Sequence, residues 1–472
     1  MKTPSPSEQT SMSQRSRPRL ALLILWSCIL SSPAPAADNL PPASSPAYKQ
    51  PPTLTLEEAI KNGIVEHPLI QAAQHGALEA QAVTQQIASV NYPQVSGILS
   101  NSLGNTRVLS NLGISGSLPK PTNYMTDPGV RVDLLITDFG RTAHKILASR
   151  ARSASAAKQV LTSKALVVLN VQQTYLACLK QLKLVAVTRN VLAERKLIRD
   201  QAESLSRHQL RSKLDLELAS VEAAKAELDF IKAQNDLQTA FAALNQAMGR
   251  QGLAEYRLND VPASFVPMPP LDPLFKEALD RRPELLGSKD RAQAAEEALK
   301  AAHALHYGSI SALGAAGYAW WARQEVVSAR GNPNNPGAQL GWWGAGFSST
   351  TPLFTGFRIE AEIEQAEANK TEALATTKVI ANDVVLEVAK AYLNRLTAAQ
   401  QIAVAQDRVA HARDALMLAR ERYKASLASI LDVTSAATDL LTAETGLAEA
   451  QYGYLAGNSA LAYATGAEYG KY

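Results

Sequence analysis

Along the longest uninterrupted stretch of the chain, Arg141–Ser204, hydrophobic positions fall in steps of three and four, and neither proline nor glycine appears. Val168, Val171, Tyr175, Cys178, Leu182 and Val185 form an a/d seam, the spacing by which one helix packs along another. At 1.5 Å per residue, about 64 residues predict roughly 95 Å of helix. The same rhythm returns at Val385, Val388, Tyr392, Arg395, Ala399 and Ile402, where one seam position has become polar. It lapses near Arg207–Arg211 and Lys424–Ala428, then resumes over Leu214–Met248 and Leu431–Tyr463. Two long helical hairpins are predicted.

A shift of 217 residues lays Ile136–Gly249 on Leu353–Gly466 without a gap, VVLNVQQTYLACL falling on VVLEVAKAYLNRL. So long a register reads as a tandem duplication. Ala-, Gln- and Glu-rich segments, Pro68–Val90 and Pro283–His306, predict a helix ahead of each hairpin. Short alternations between them, such as Val130–Ile136, predict strands. The expected organisation is a first repeat over 54–249, with strands near 94–106 and 129–137, and a second over 274–466, with strands near 308–323 and 341–353. Residues 37–53 form a Pro-rich lead-in, 250–273 a linker and 467–472 a tail.

Composition changes this picture in three places. The first is the N-terminus, where Lys2, Arg15, Arg17 and Arg19 precede an apolar Leu20–Leu30 and an Ala34-Pro35-Ala36 cleavage pattern. This is the form of a secretory signal over residues 1–36. Cys28 offers the alternative of lipidation. Removing four basic residues and Glu8 takes the formal charge from +4 to about +1, so a nucleic-acid partner has no electrostatic support. Cys178 would then be alone, without an intrachain disulfide. The second is the lack of any run of about 18 apolar residues beyond the leader, which excludes a helical membrane span but not a barrel. The third is tryptophan. Only 6% of the chain is aromatic, yet four of its five tryptophans stand as two pairs, Trp320-Trp321 and Trp342-Trp343, either side of a Pro/Asn/Gly-rich centre.

A duplicated helix–strand–strand–helix unit behind a signal resembles the TolC family of outer-membrane efflux channels. The resemblance covers nearly all of the chain beyond the leader. It is carried by LTLEEAIKNGIVEHPLI (Leu54–Ile70), Tyr92-Pro93, the junctions ITDFGR (Ile136–Arg141) and LFTGFR (Leu353–Arg358), and RYKASLASILDV (Arg422–Val433). It implies a mainly α chain with a membrane β-barrel part. Long coiled-coil hairpins would form an α-barrel, and four strands per chain a shared trimeric barrel of twelve strands. The implied partners are two further copies, a periplasmic adaptor, an inner-membrane transporter and outer-membrane lipid. The exported substrate could be a drug, a metal ion or a protein, and no residue chooses among them. The alternative function is a periplasmic coiled-coil scaffold or adaptor.

Trp and Tyr on barrel strands prefer the headgroup layer. Tyr318, Trp320, Trp321, Trp342 and Trp343 are therefore the expected interface aromatics, with Gln324–Leu340 as an extracellular loop. Neighbours on a strand face opposite sides, so only one tryptophan of each pair can meet lipid. The competing reading is ordinary packing of a soluble hairpin. At the opposite end, the resemblance places Asp432, its first-half counterpart Asp215 and Tyr423 at the periplasmic constriction. Both aspartates also suit helix N-caps. The chain departs from its relatives at Gln209, Ser426, Ala428 and Ser435. Lys213 and Arg211 beside Asp215 read as solvated charges. His303-x-x-His306 lacks further metal ligands; no catalytic motif or cofactor is expected.

Overall fold

The computed structural model describes residues 51–104, 123–208, 212–262, 267–323, 338–425 and 427–467. The leader with Cys28, most of the lead-in, Gln209, Arg211, Ser426 and residues 324–337 of the loop expected over Gln324–Leu340 lie outside them, as do residues 468–472 of the tail; the last three residues of that expected loop belong to a strand. In chain order the elements begin with β1 (Thr53–Leu54), α1 (Leu56–Glu66), α2 (Pro68–Ala88), β2 (Gln94–Gly104) and β3 (Asn123–Thr137). Next come α3 (Arg141–Arg207), α4 (Lys213–Ala247) and β4 (Arg257–Leu258). The second repeat holds α5 (Leu271–Arg281), α6 (Pro283–His303), β5 (Ser309–Arg323), β6 (Ala338–Thr350), α7 (Arg358–Lys424) and α8 (Ile430–Thr465). The shift of 217 that aligns the sequences also carries Arg141 onto Arg358, Arg207 onto Lys424 and Lys213 onto Ile430, the ends of matching helices.

α3 is continuous for 67 residues because nothing in it breaks a helix; α7 has the same length. Val168, Val171, Tyr175 and Cys178 are each at most 1% exposed along the seam. In α7 the buried positions Val388, Arg395, Ile402, Val409 and Leu416 recur every seven residues, the knobs-into-holes period. α3 packs against α2, α4, α6 and α8, while α7 packs chiefly against α8 and α6 and, near its middle, α5. The two repeats are tied where α3 meets α6, with His144 Nδ1 2.7 Å from Glu297 Oε2.

A mid-level core forms where α1, α3 and α4 meet the short parallel pair β1–β4. Tyr175 anchors it: its hydroxyl lies 3.0 Å from the Leu54 carbonyl and 2.8 Å from that of Asn259, and accepts the Asn259 N–H at 3.1 Å. Cys178 packs in this core, and burial pushes its thiol up to about 12, so it is an inert small residue.

The four longer strands make one antiparallel sheet in the order β2-β3-β5-β6. β3 begins at Asn123, before the expected Gly129, and pairs with β2 through Pro128, which faces Leu99. β6 ends at Thr350, and Pro352 follows. The outer edges of β2 and β6 have no partner strand among the described residues.

Candidate functional site

The sheet's register sorts its side chains onto two faces. Val130 pairs with Gly97 and Ala316, and Ala316 with Trp343. Since alternate residues share a face, one side carries Val95, Leu99, Val130, Val132, Leu134, Ile310, Tyr318, Trp320, Trp343 and Phe347. Most of these apolar groups stand open, Trp343 at 83% and Phe347 at 80% exposure, with Val132, Leu134 and Ile310 half-buried; Asn101, Thr126 and Ser349 are the polar members of this side. The opposite side carries Gln94, Ser96, Ser100, Asp127, Arg131, Asp133, Ser309, Ser311 and Ser348, with Ile98, Leu135 and Leu313 as apolar exceptions. An exposed apolar face of this size needs a cover.

The tryptophans divide between these faces. Trp343 and Trp320 stand on the apolar side, where the Trp320 ring meets Tyr318 edge-on at 5.5 Å. Trp342 is on the polar side, half-buried, its indole N–H donating to Asp127 Oδ1 at 2.9 Å. Glycine makes room for it. A Cβ at Gly317 would sit 2.7 Å from the ring, and one at Gly129 3.4 Å from it. Trp321 stands in β5, in register with Met125 and Ala338.

Where strands become helices, a second aromatic set stands exposed: Tyr92, Phe139, Tyr307, Phe354 and Phe357. Phe139 lies 5.8 Å from Tyr307, and Phe354 5.8 Å from Phe357. Each junction turns through two consecutive left-handed residues, Phe139-Gly140 in the first repeat and Gly356-Phe357 in the second. A phenylalanine there costs of order 1–2 kcal/mol, yet each repeat retains one. In the first repeat the turn is held by Asp138, 4% exposed, whose Oδ2 accepts from the Thr142 N–H at 2.9 Å. The sequence reading missed this set, although an aromatic beside glycine in both ITDFGR and LFTGFR was its signal.

At the opposite ends, the expected gate residues lie at the helix turns. Asp432 is exposed, at the third position of α8, and Ser429 is the N-cap. Asp432 Oδ2 accepts from the Ser429 N–H at 2.8 Å and from its hydroxyl at 3.0 Å, while the Asp432 N–H returns a bond to that hydroxyl. These bonds hold the carboxyl below its ordinary range, with Arg422 a smaller contributor. Asp215 stands at the same place in α4, where the cap is Ser212, accepting from the Leu214 N–H at 3.1 Å. Neither aspartate is itself an N-cap. Tyr423 packs against the buried cluster Leu416, Val433 and Ala437, which Ile198 of α3 also meets, so the cluster joins the second hairpin to α3. Arg195 of α3, not singled out by the sequence reading, is buried beside this cluster. Among the described residues no cluster of three or more His, Cys, Asp or Glu is placed to hold a metal, and no helix is long and apolar enough to cross a membrane.

Comparison with known proteins adds to this geometry. The model of the outer membrane efflux protein family matches residues 59–250 and 274–467. The outer membrane efflux protein BepC of Brucella suis biovar 1 (strain 1330) is 26% identical over 265 residues, 52% of this chain and 56% of its own length. The match thus spans about half of that relative. Among solved structures, the fold is similar to VceC of Vibrio cholerae, with a TM-score of 0.72, 20% identity, and 87% of this chain and 96% of VceC covered. It is also similar to the Campylobacter jejuni CmeC outer membrane channel, with a TM-score of 0.71, 17% identity, and 87% and 85% of the two chains covered.

Proposed function

Because the chain belongs to the outer membrane efflux protein family, we propose that it is the exit duct of a tripartite efflux or type I secretion system. Three copies would close one barrel, each giving four strands, and their helices would line a tunnel in the periplasm. An inner-membrane transporter and a periplasmic adaptor would deliver substrate, which passes outward without chemical change.

The observation that carries this reading is the four-stranded sheet, mostly apolar on one face, mostly polar on the other, and with no partner strand at either edge among the described residues. Lipid is the solvent that suits such a face, and a barrel removes the edges. β2 and β6 run in opposite directions, so β6 of one copy can pair antiparallel with β2 of the next. On this reading Trp320, Trp343 and Tyr318 meet the outer headgroup layer, and Phe139, Tyr307, Phe354 and Phe357 the inner one. Trp342 and Asp127 face the lumen. A scaffold or adaptor would leave the apolar face in water.

Asp432, Asp215 and Tyr423 are the proposed constriction. Carboxylates repeated by threefold symmetry at a narrow mouth favour cations. Capping and gating are compatible at Asp432, since Ser429 bonds one carboxylate oxygen, Oδ2, and the residue is exposed. Opening would separate the helix turns in the manner of an iris. Single-channel conductance in a planar bilayer tests the reading, with the wild type beside Asp215→Asn/Asp432→Asn. Discrete openings, altered in size or cation preference by the substitutions, are expected. Folded protein that never conducts would overturn the duct.

A further inference from the structure

Resting on that reading, we infer that Arg195 is the positioning residue that latches the second hairpin's turn to the first repeat. It is charged, yet its side chain is only 4% exposed. Its Nη2 donates to the Thr434 carbonyl at 2.9 Å and to the Thr438 hydroxyl at 3.1 Å, both on α8. The same nitrogen lies 3.8 Å from Glu222 Oε2 on α4. The preceding residue of α3, Glu194, is ion-paired with Arg420 near the end of α7. Two consecutive residues thus grip all three other helices of the hairpins. Their level is roughly 18 Å of helix from the end of α3, and Ile198, one turn on, packs against the same Leu416–Val433–Ala437 cluster as Tyr423.

The energetics suit a latch better than a rivet. Bonds from a charged donor contribute more than neutral ones, and losing them frees the start of α8, which carries Asp432. But Nη1 is buried without a hydrogen-bond partner. Moving α8 away would readmit water to the guanidinium, and that hydration offsets part of the loss. The device is also one-sided, since the shift of 217 carries Glu194-Arg195 onto His411-Ala412. The first repeat supplies the buried arginine, and position 412 of α7 has no matching guanidinium.

The test uses Arg195→Met, which keeps the stem's packing, and Glu222→Gln, which leaves the bonds to α8 in place. Two readouts are taken on folded, detergent-solubilised protein: amide exchange of Ile430–Thr438 and resting conductance. In Arg195→Met the exchange of that segment should rise at least about ten-fold and the resting conductance several-fold, with Glu222→Gln near wild type. Unchanged exchange and conductance in Arg195→Met overturn the latch while wild-type pores uphold the duct. Faster exchange with no pore in any variant keeps the latch and removes the duct. A global fall in protection assigns Arg195 to general packing and also overturns the latch; Arg195→Lys, which keeps one donor, should then fail to restore protection selectively at α8.

Discussion

The two 67-residue helices α3 and α7 are copies of one unit, yet one is interior and the other is an edge. α3 buries 21 of its residues and α7 only 8. Matching positions show why. Leu176 is 3% exposed and its counterpart Leu393 56%; Val187 is 6% exposed and Val404 69%. In the first repeat this face of the hairpin meets α8, an element of the other repeat. In the second repeat the equivalent positions stand exposed. The apolar positions were kept on both copies, so on the proposed reading the internal α3–α8 contact would be repeated between copies. The surface that could supply it is the outer side of α4, where Leu214, Leu218, Val221, Leu228 and Ile231 stand exposed at helical spacing.

The sharpest way to break this comparison is to charge the edge. Leu393→Glu or Val404→Glu should convert the assembly to single copies, because a carboxylate buried between copies costs several kcal/mol at each interface. Leu197→Glu is the matched control: it is 58% exposed, but on the interior helix α3, and should leave the assembly intact. Light scattering on detergent-purified protein reads both. Dissociation by Leu197→Glu alone would reverse the argument.

Next in size is truncation at the paired positions. Leu176→Ala should lower chemical stability by about 2–5 kcal/mol through a cavity. Leu393→Ala should weaken association and leave the isolated copy's denaturation midpoint almost unmoved.

A smaller effect is expected at the seam tyrosines. Tyr175→Phe leaves the Leu54 and Asn259 carbonyls without their hydroxyl neighbour and should cost about 1–3 kcal/mol. Its counterpart Tyr392 is only half-buried, and Tyr392→Phe should cost less than about 0.5 kcal/mol.

The smallest difference lies at the turns. Ser429 and Asp432 form a reciprocal box, whereas Ser212 only caps, so Ser429→Ala should fray α8 more than Ser212→Ala frays α4. The Asp432 carboxyl is depressed in the folded chain. Its contribution is therefore complete above the ordinary carboxylate pKa of about 4 and is lost as pH falls through the lower folded value. Amide exchange at the start of α8 should accelerate in that acidic window, and Ser429→Ala should flatten the response.

Much of this was legible in the sequence because it is local. Absence of proline and glycine gave the 67-residue helices, three-four spacing gave the seam at Val171 and Tyr175, and alternation gave Val130–Ile136 as strand. The resemblance to the TolC family, drawn from motifs such as LFTGFR and from the duplication, agrees with the family match over both repeats. What escaped depends on register or on distant neighbours. Whether Trp342 or Trp343 faces the apolar side turns on how β6 aligns with β5, and β3 slips by a bulge between Leu135 and Thr137. Capping was one of two roles open to the aspartates, yet the serines three residues earlier hold the cap, because Asp and Ser satisfy free N–H groups equally well. Arg195 looked like any charged residue of a long helix, since its partners lie more than two hundred residues away on α8.

The most direct test of the account is the fate of the two open sheet edges, read in a cryo-electron microscopy map of the detergent-purified protein. The account predicts a threefold ring in which β6 of each copy pairs antiparallel with β2 of the next, with Trp343 outward and Trp342 toward the lumen. A single copy, or an assembly in which β2 and β6 remain unpaired, would contradict it.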